Sequence, residues 1–154
     1  MKTLYYKLLF LPITVLLSFA SVYAQTAADI EDLLSAETIS CEQAAWFVLG
    51  AVLETPPASS SAAFSIAQEQ GWLPANVENS SSVTMSRLSF LLMKSFDLTG
   101  GFMYRITGNQ RYAFREIKAR GLFGRYAYPN FTVSGEQFLQ ILEDVSAEKE
   151  GEWE

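Results

Sequence analysis

Histidine is absent from this 154-residue chain, and Cys41 is its single cysteine. Without an imidazole there is no histidine general base, and most zinc sites are removed as well. One cysteine cannot close a disulfide within the chain. Basic residues are missing from residues 25–78, which hold eight acids. No spacing of Asp and Asn resembles a calcium loop, and Gly100-Gly101 is too short for a phosphate cradle. The serine tracts at 59–61 and 80–82 lack the activating base that a nucleophile needs. Glu69 and Glu116 fall on expected exposed helix faces, not in one cleft as a paired-carboxylate hydrolase requires. The expectation is a non-catalytic protein without metal or cofactor.

The chain opens with a basic start, Lys2 and Lys7, then an apolar run from Leu8 to Leu17 and the small-residue site Val22-Tyr23-Ala24. This is the pattern of a signal peptide over residues 1–24, cleaved before Gln25. An uncleaved membrane anchor is the alternative, although the run is short for a span and contains Pro12. Cleavage would leave no stable transmembrane segment. An exported domain without disulfides suits the periplasm or cell surface of a bacterium.

Positive charge is concentrated late in the chain. Residues 105–125 carry Arg105, Arg111, Arg115, Lys118, Arg120 and Arg125 against Glu116 alone. Residues 143–154 carry six acids against Lys149. A basic block within an acidic chain is either a solvated helix face or a patch for an anionic glycan or acidic partner. Nucleic acid does not suit an exported acidic protein.

The strongest pattern is a repeat. The segment Ala63-Phe64-Ser65-Ile66-Ala67-Gln68-Glu69-Gln70-Gly71 recurs fifty residues later as Ala113-Phe114-Arg115-Glu116-Ile117-Lys118-Ala119-Arg120-Gly121. A capped helix follows each glycine at the same distance, at Thr84 and at Ser134. Ile39-Ser40-Cys41-Glu42-Gln43 matches both caps: an apolar residue, a hydroxyl, two positions, then a long polar residue. A repeat unit cannot bury its apolar face alone, so stacked copies share a core.

The expected fold is all-α, with repeated helix-loop-helix units, two and a half of them, packed as one small bundle. The domain covers residues 25–147 and an acidic tail covers 148–154. Five main helices follow a short lead-in helix near Asp29–Leu34, with caps expected at Ser40, Thr84 and Ser134. Core positions include Ala44, Ala45, Phe47, Val48, Ala51 and Val52; Leu88, Leu91, Leu92 and Phe96; and Phe138, Leu139, Ile141, Leu142 and Val145. Phe102–Ile106 reads as a short extended segment between two glycine turns. Residues 147–154 read as a frayed end.

A helix ending near a glycine, a loop, and a second helix opened by a hydrophobic-hydroxyl cap resemble the S-layer homology family over about residues 38–146. Where that family carries its motif arginine this chain has Cys41, Met85 and Gly135, and Arg87 falls two places after Met85. The resemblance implies a pseudo-threefold helical bundle that holds bacterial proteins to cell-wall polymers or peptidoglycan. It implies a binding module of the envelope, not an enzyme.

The aromatic-basic stretch from Phe102 to Phe131 holds the candidate binding residues Tyr104, Arg105, Arg111, Arg125, Tyr126 and Tyr128. Aromatic faces stack on sugar rings, and arginine forks bind carboxylates or phosphates. The same aromatics can instead close the core at a loop-rich edge. The expected partner is a cell-wall glycan; the alternative is a protein-interaction role with a periplasmic or outer-membrane protein.

Overall fold

The computed structural model describes residues 27–151. Residues 27–35 form helix α1, in which Leu33 is buried and Leu34 exposed. They belong to a first compact unit that ends at Ser35. The expected signal peptide lies outside the described residues. A second unit, from Ala36 onward, holds α2 (Cys41–Val52), α3 (Ser60–Glu69), α4 (Met85–Ser95), α5 (Phe102–Thr107), α6 (Gln110–Ala119) and α7 (Gly135–Gly151). The described residues contain no strand, only isolated antiparallel bridges at Ser40–Ser82 and Thr84–Thr132. The fold is an all-α helical bundle.

Helix starts follow from local chemistry. The Ser40 hydroxyl accepts from the Gln43 N–H at 3.1 Å, and the Gln43 side chain accepts from the Ser40 N–H at 2.9 Å. Ser134 and Gln137 make the same reciprocal pair at 3.3 Å. Thr84 accepts from the Arg87 N–H at 3.4 Å. Arginine has no acceptor, so the return bond is missing there. In each case the hydroxyl satisfies a first-turn donor that the helix leaves open.

The residues just before these caps close a ring. The Ile39 N–H donates to the Val133 carbonyl at 3.0 Å, Val83 to Ile39 at 2.9 Å, and Val133 to Val83 at 3.3 Å. All three are fully buried. The first-turn N–H groups also reach to a neighbouring repeat, in the opposite sense around the ring. Cys41 donates to Ser81 and Glu42 to Asn79; Met85 donates to Phe131 and Ser86 to Pro129; Gly135 donates to Ala36. Three helix starts therefore surround one pseudo-threefold centre, and each is completed by the loop of the next unit.

The fifty-residue offset extends to the loops. Gly71 and Gly121 both have positive φ, 69° and 82°, the conformation in which glycine stops a helix. Gln68 donates from its amide to the carbonyls of Pro74 and Val77, and Lys118 donates from Nζ to Ala127 at 2.8 Å. Residues 68 and 118, and likewise 77 and 127, are fifty apart, so different side chains brace equivalent loops.

Packing fills the space around the ring. α2 lies against α3 and α4, and α4 against α6. Ala44, Val48 and Leu49 of α2, Leu88, Leu91 and Leu92 of α4, and Phe138 of α7 are buried. Ala51 is exposed, while Phe47 and Val52 are half-buried, so the apolar face of α2 is narrower than its sequence suggests.

Two segments differ from the sequence-based expectation. Phe102–Thr107 is helical, not extended. Gly108, at φ 54°, ends this turn, and its N–H donates to the Tyr104 carbonyl at 2.8 Å. The aromatic, β-branched composition reads as strand, but only Tyr104 faces inward, and one helical turn satisfies that. At the other end, α7 continues to Gly151 through residues expected to fray. Arg120 forms an ion pair with Glu148 and also donates to the Thr99 carbonyl, which ties that last stretch to the bundle.

The two repeats also differ in length, and α5 accounts for the difference. Nineteen residues separate the caps Ser40 and Ser59, whereas twenty-five separate Thr84 and Asn109. From Ser59 to Thr84 and from Asn109 to Ser134 the distance is twenty-five in both. The extra six residues lie between α4 and α6, and α5 is six residues long.

Candidate functional site

α6 organises the aromatic-basic region. Its ten residues span about 15 Å. α5 runs back along it: the two join at Gly108-Asn109, while the carbonyl of Thr99 meets Arg120 and Gly101 sits beside Glu116. The six residues singled out by sequence therefore separate into two groups. Tyr104, Arg105 and Arg111 belong to α5 and the first turn of α6, whereas Arg125, Tyr126 and Tyr128 follow its far end.

In the first group Arg105 and Arg111 are exposed, but Tyr104 is 8% exposed and offers no surface for stacking. Its hydroxyl is buried without a protein partner. Burial, reinforced by the Asp97 carboxylate, pushes the phenol above its ordinary range. Lys94 lies 6.0 Å from the ring centre, and a Cβ at Gly100 would overlap that ring. Tyr104 thus acts as the anchor of α5.

The second group stands on the loop between α6 and α7. Arg125, Tyr126 and Tyr128 are all exposed, Tyr126 at 79%. Tyr128 packs on Phe131 with ring centres 5.1 Å apart. Lys118 lies 5.9 Å from the Tyr128 ring and 5.8 Å from Phe114 while bonding the loop at Ala127. The aromatics are held from beneath by a cation, and their outer surface is open.

A cleft of about 390 Å³ opens beside this loop. Met85, Leu122, Phe123 and Ile141 give it an apolar lining; Gln137, Gln140 and Asp144 of α7 supply amides and a carboxylate. Gly121 and Gly124 bring the backbone to its edge, and the chain passes directly from Gly124 into Arg125 and Tyr126. The polar groups can accept from and donate to hydroxyls, while the apolar lining suits carbon faces.

Sequence reasoning missed Gln137, Gln140 and Asp144. Their spacing of three and four places them on one α7 face beside the buried stripe of Phe138, Ile141 and Val145. That polar stripe was visible, but which face a neighbouring loop leaves open was not. Lys118 and Phe131, which lie in the aromatic-basic stretch but not among the six candidates, also belong to the patch.

Cys41 is buried among the helix starts. Desolvation pushes its thiol up, partly opposed by the charge and hydrogen bond of Arg87. Its burial at a helix start gives Cys41 a packing role. Among the described residues no group of three or more Cys, Asp or Glu is placed to hold a metal ion, and no helix is long and apolar enough to cross a membrane. No family model, no curated protein and no solved structure matches the chain.

Proposed function

We propose that this protein is a non-catalytic binding module of the bacterial envelope whose ligand is a cell-wall glycan. The observation that carries the reading is the cleft between α7 and the loop after α6. It joins Gln137, Gln140 and Asp144 to an apolar lining, directly beside exposed Tyr126 and Tyr128. Sugars present hydroxyls at their edges and C–H groups on their faces, and this combination answers both. Arg125 adds a fork for a glycan carboxylate or phosphate.

The pseudo-threefold bundle adds support through its resemblance to S-layer homology repeats, which hold bacterial proteins to wall polymers. Fold resemblance alone is a weaker argument than the site. Export, indicated by the first 24 residues, would bring the module to such a ligand.

The test is retention of the full chain on purified peptidoglycan. Replacing Tyr126 and Tyr128 with alanine, or Asp144 with alanine, should reduce retention while leaving the circular dichroism unchanged. Undiminished retention of both variants would reject the site. Retention by an envelope protein, and not by the wall, would replace glycan binding with protein interaction.

A further inference from the structure

Helix α5 is the element that the repeat does not require. It fills the six-residue excess between α4 and α6, and the first repeat makes the corresponding connection without it. An inserted surface helix would ordinarily turn polar side chains outward. α5 instead buries Tyr104 and exposes Phe102 at 74%, Met103 at 47% and Ile106 at 65%. Positions 102, 103 and 106 share one side of a helix. Contiguous exposed apolar surface of this kind marks a contact site.

The surroundings indicate what makes that contact. Arg105 lies within α5, and Arg111 and Arg115 are exposed on the helix alongside. Across residues 98–135 the only acid is Glu116, whose carboxylate sits beside Gly101 at the start of α5. The apolar side chains are exposed beside arginines, and an anionic bilayer takes up apolar and basic groups together without needing a shape-matched surface. Apolar residues flanked by arginines on a helix lying along the surface meet the requirements of an interfacial helix on anionic lipid.

We propose that α5 is a membrane-surface contact, inserting Phe102, Met103 and Ile106 among the lipids of an anionic bilayer while Arg105 and Arg111 meet their phosphates. This contact is made by α5 alongside α6, whereas the Arg125–Tyr128 loop follows the end of α6. It does not depend on what the cleft binds.

The apolar run in residues 8–17 can bind lipid on its own account, so the measurement must be local to α5. In the full chain with Cys41→Ala, an environment-sensitive dye is placed on a cysteine introduced by Thr107→Cys. Its emission should shift to the blue on vesicles containing phosphatidylglycerol, and not on phosphatidylcholine alone. Phe102→Ser with Ile106→Ser should abolish the shift. Arg105→Gln should weaken partitioning about fivefold, the loss corresponding to one basic residue at a lipid surface; this variant decides the matter if the double variant fails to fold. A silent dye on a chain that still sediments with vesicles would overturn the proposal. So would a shift that grows with protein concentration without lipid, which would indicate a second copy of the chain on this face.

Discussion

Two buried titratable groups make the protein sensitive to alkali. Cys41 and Tyr104 both hold their protons more tightly when folded, the first mainly through burial and the second through burial and Asp97. Their contribution to stability is complete below the unfolded values and disappears as pH rises through the higher folded values. The melting temperature should therefore fall as pH climbs past the ordinary thiol and phenol values of 9.0 and 10.0. Cys41→Ala should remove the thiol part of that fall. At neutral pH the thiol should resist alkylation until the chain unfolds. The caps act at the same scale: Ser40→Ala, Thr84→Ala and Ser134→Ala should each cost about 1 kcal/mol in denaturant unfolding.

Among the elements, the glycines that end α3 and α6 are set by backbone conformation. Gly121 has φ 82°, and no atom crowds its Cβ position, so alanine there meets torsional strain and not a clash. Gly121→Ala should cost about 1–2 kcal/mol. Gly124→Ala, three residues on, has open space and no positive φ, and should stay within about 0.5 kcal/mol of the wild type. Comparing the two melting curves isolates the backbone term. The legibility of each element follows the same division. α2, α4 and α7 can be read from Ser40, Thr84 and Ser134 because a cap bonds within its own first turn. The ends of α3 and α6 can be read from Gly71 and Gly121 for the same local reason. α5 could not, since its helicity depends on Tyr104 finding a buried place beside Gly100 and Lys94. The aromatic residues of the candidate site were legible as composition. Their division between the two ends of α6 was not, because it depends on how α5 folds back. The extension of α7 to Gly151 depends on Arg120, which is distant in sequence.

At the scale of the whole second unit, the repeats form a closed figure. In an open solenoid each unit touches only its sequence neighbours, and the ends need special capping. Here the last repeat returns to the first through Val133 and Ile39, and through Gly135 and Ala36. Unfolding of this unit should therefore be a single cooperative event. Tryptophan fluorescence and far-UV circular dichroism should give coincident denaturant transitions. Separate transitions would mean that the repeats melt independently. Val83→Ala, which leaves the ring bonds but thins the packing around them, should lower both curves together by roughly 1.5–3 kcal/mol.

The ring also determines when folding can finish. Val133 and Ile39 are ninety-four residues apart, yet the Ile39 N–H bonds the Val133 carbonyl, and the first-turn N–H of Gly135 bonds the carbonyl of Ala36. Helices form locally and early, but this closure must gather three distant points of the chain, and the entropy of doing so is spent before the core rewards it. A chain released from synthesis before residue 133 would possess most of its helices and lack the joint that locks them. Time to the native state should thus be governed by the meeting of the two ends of the ring, not by the rate at which any helix winds.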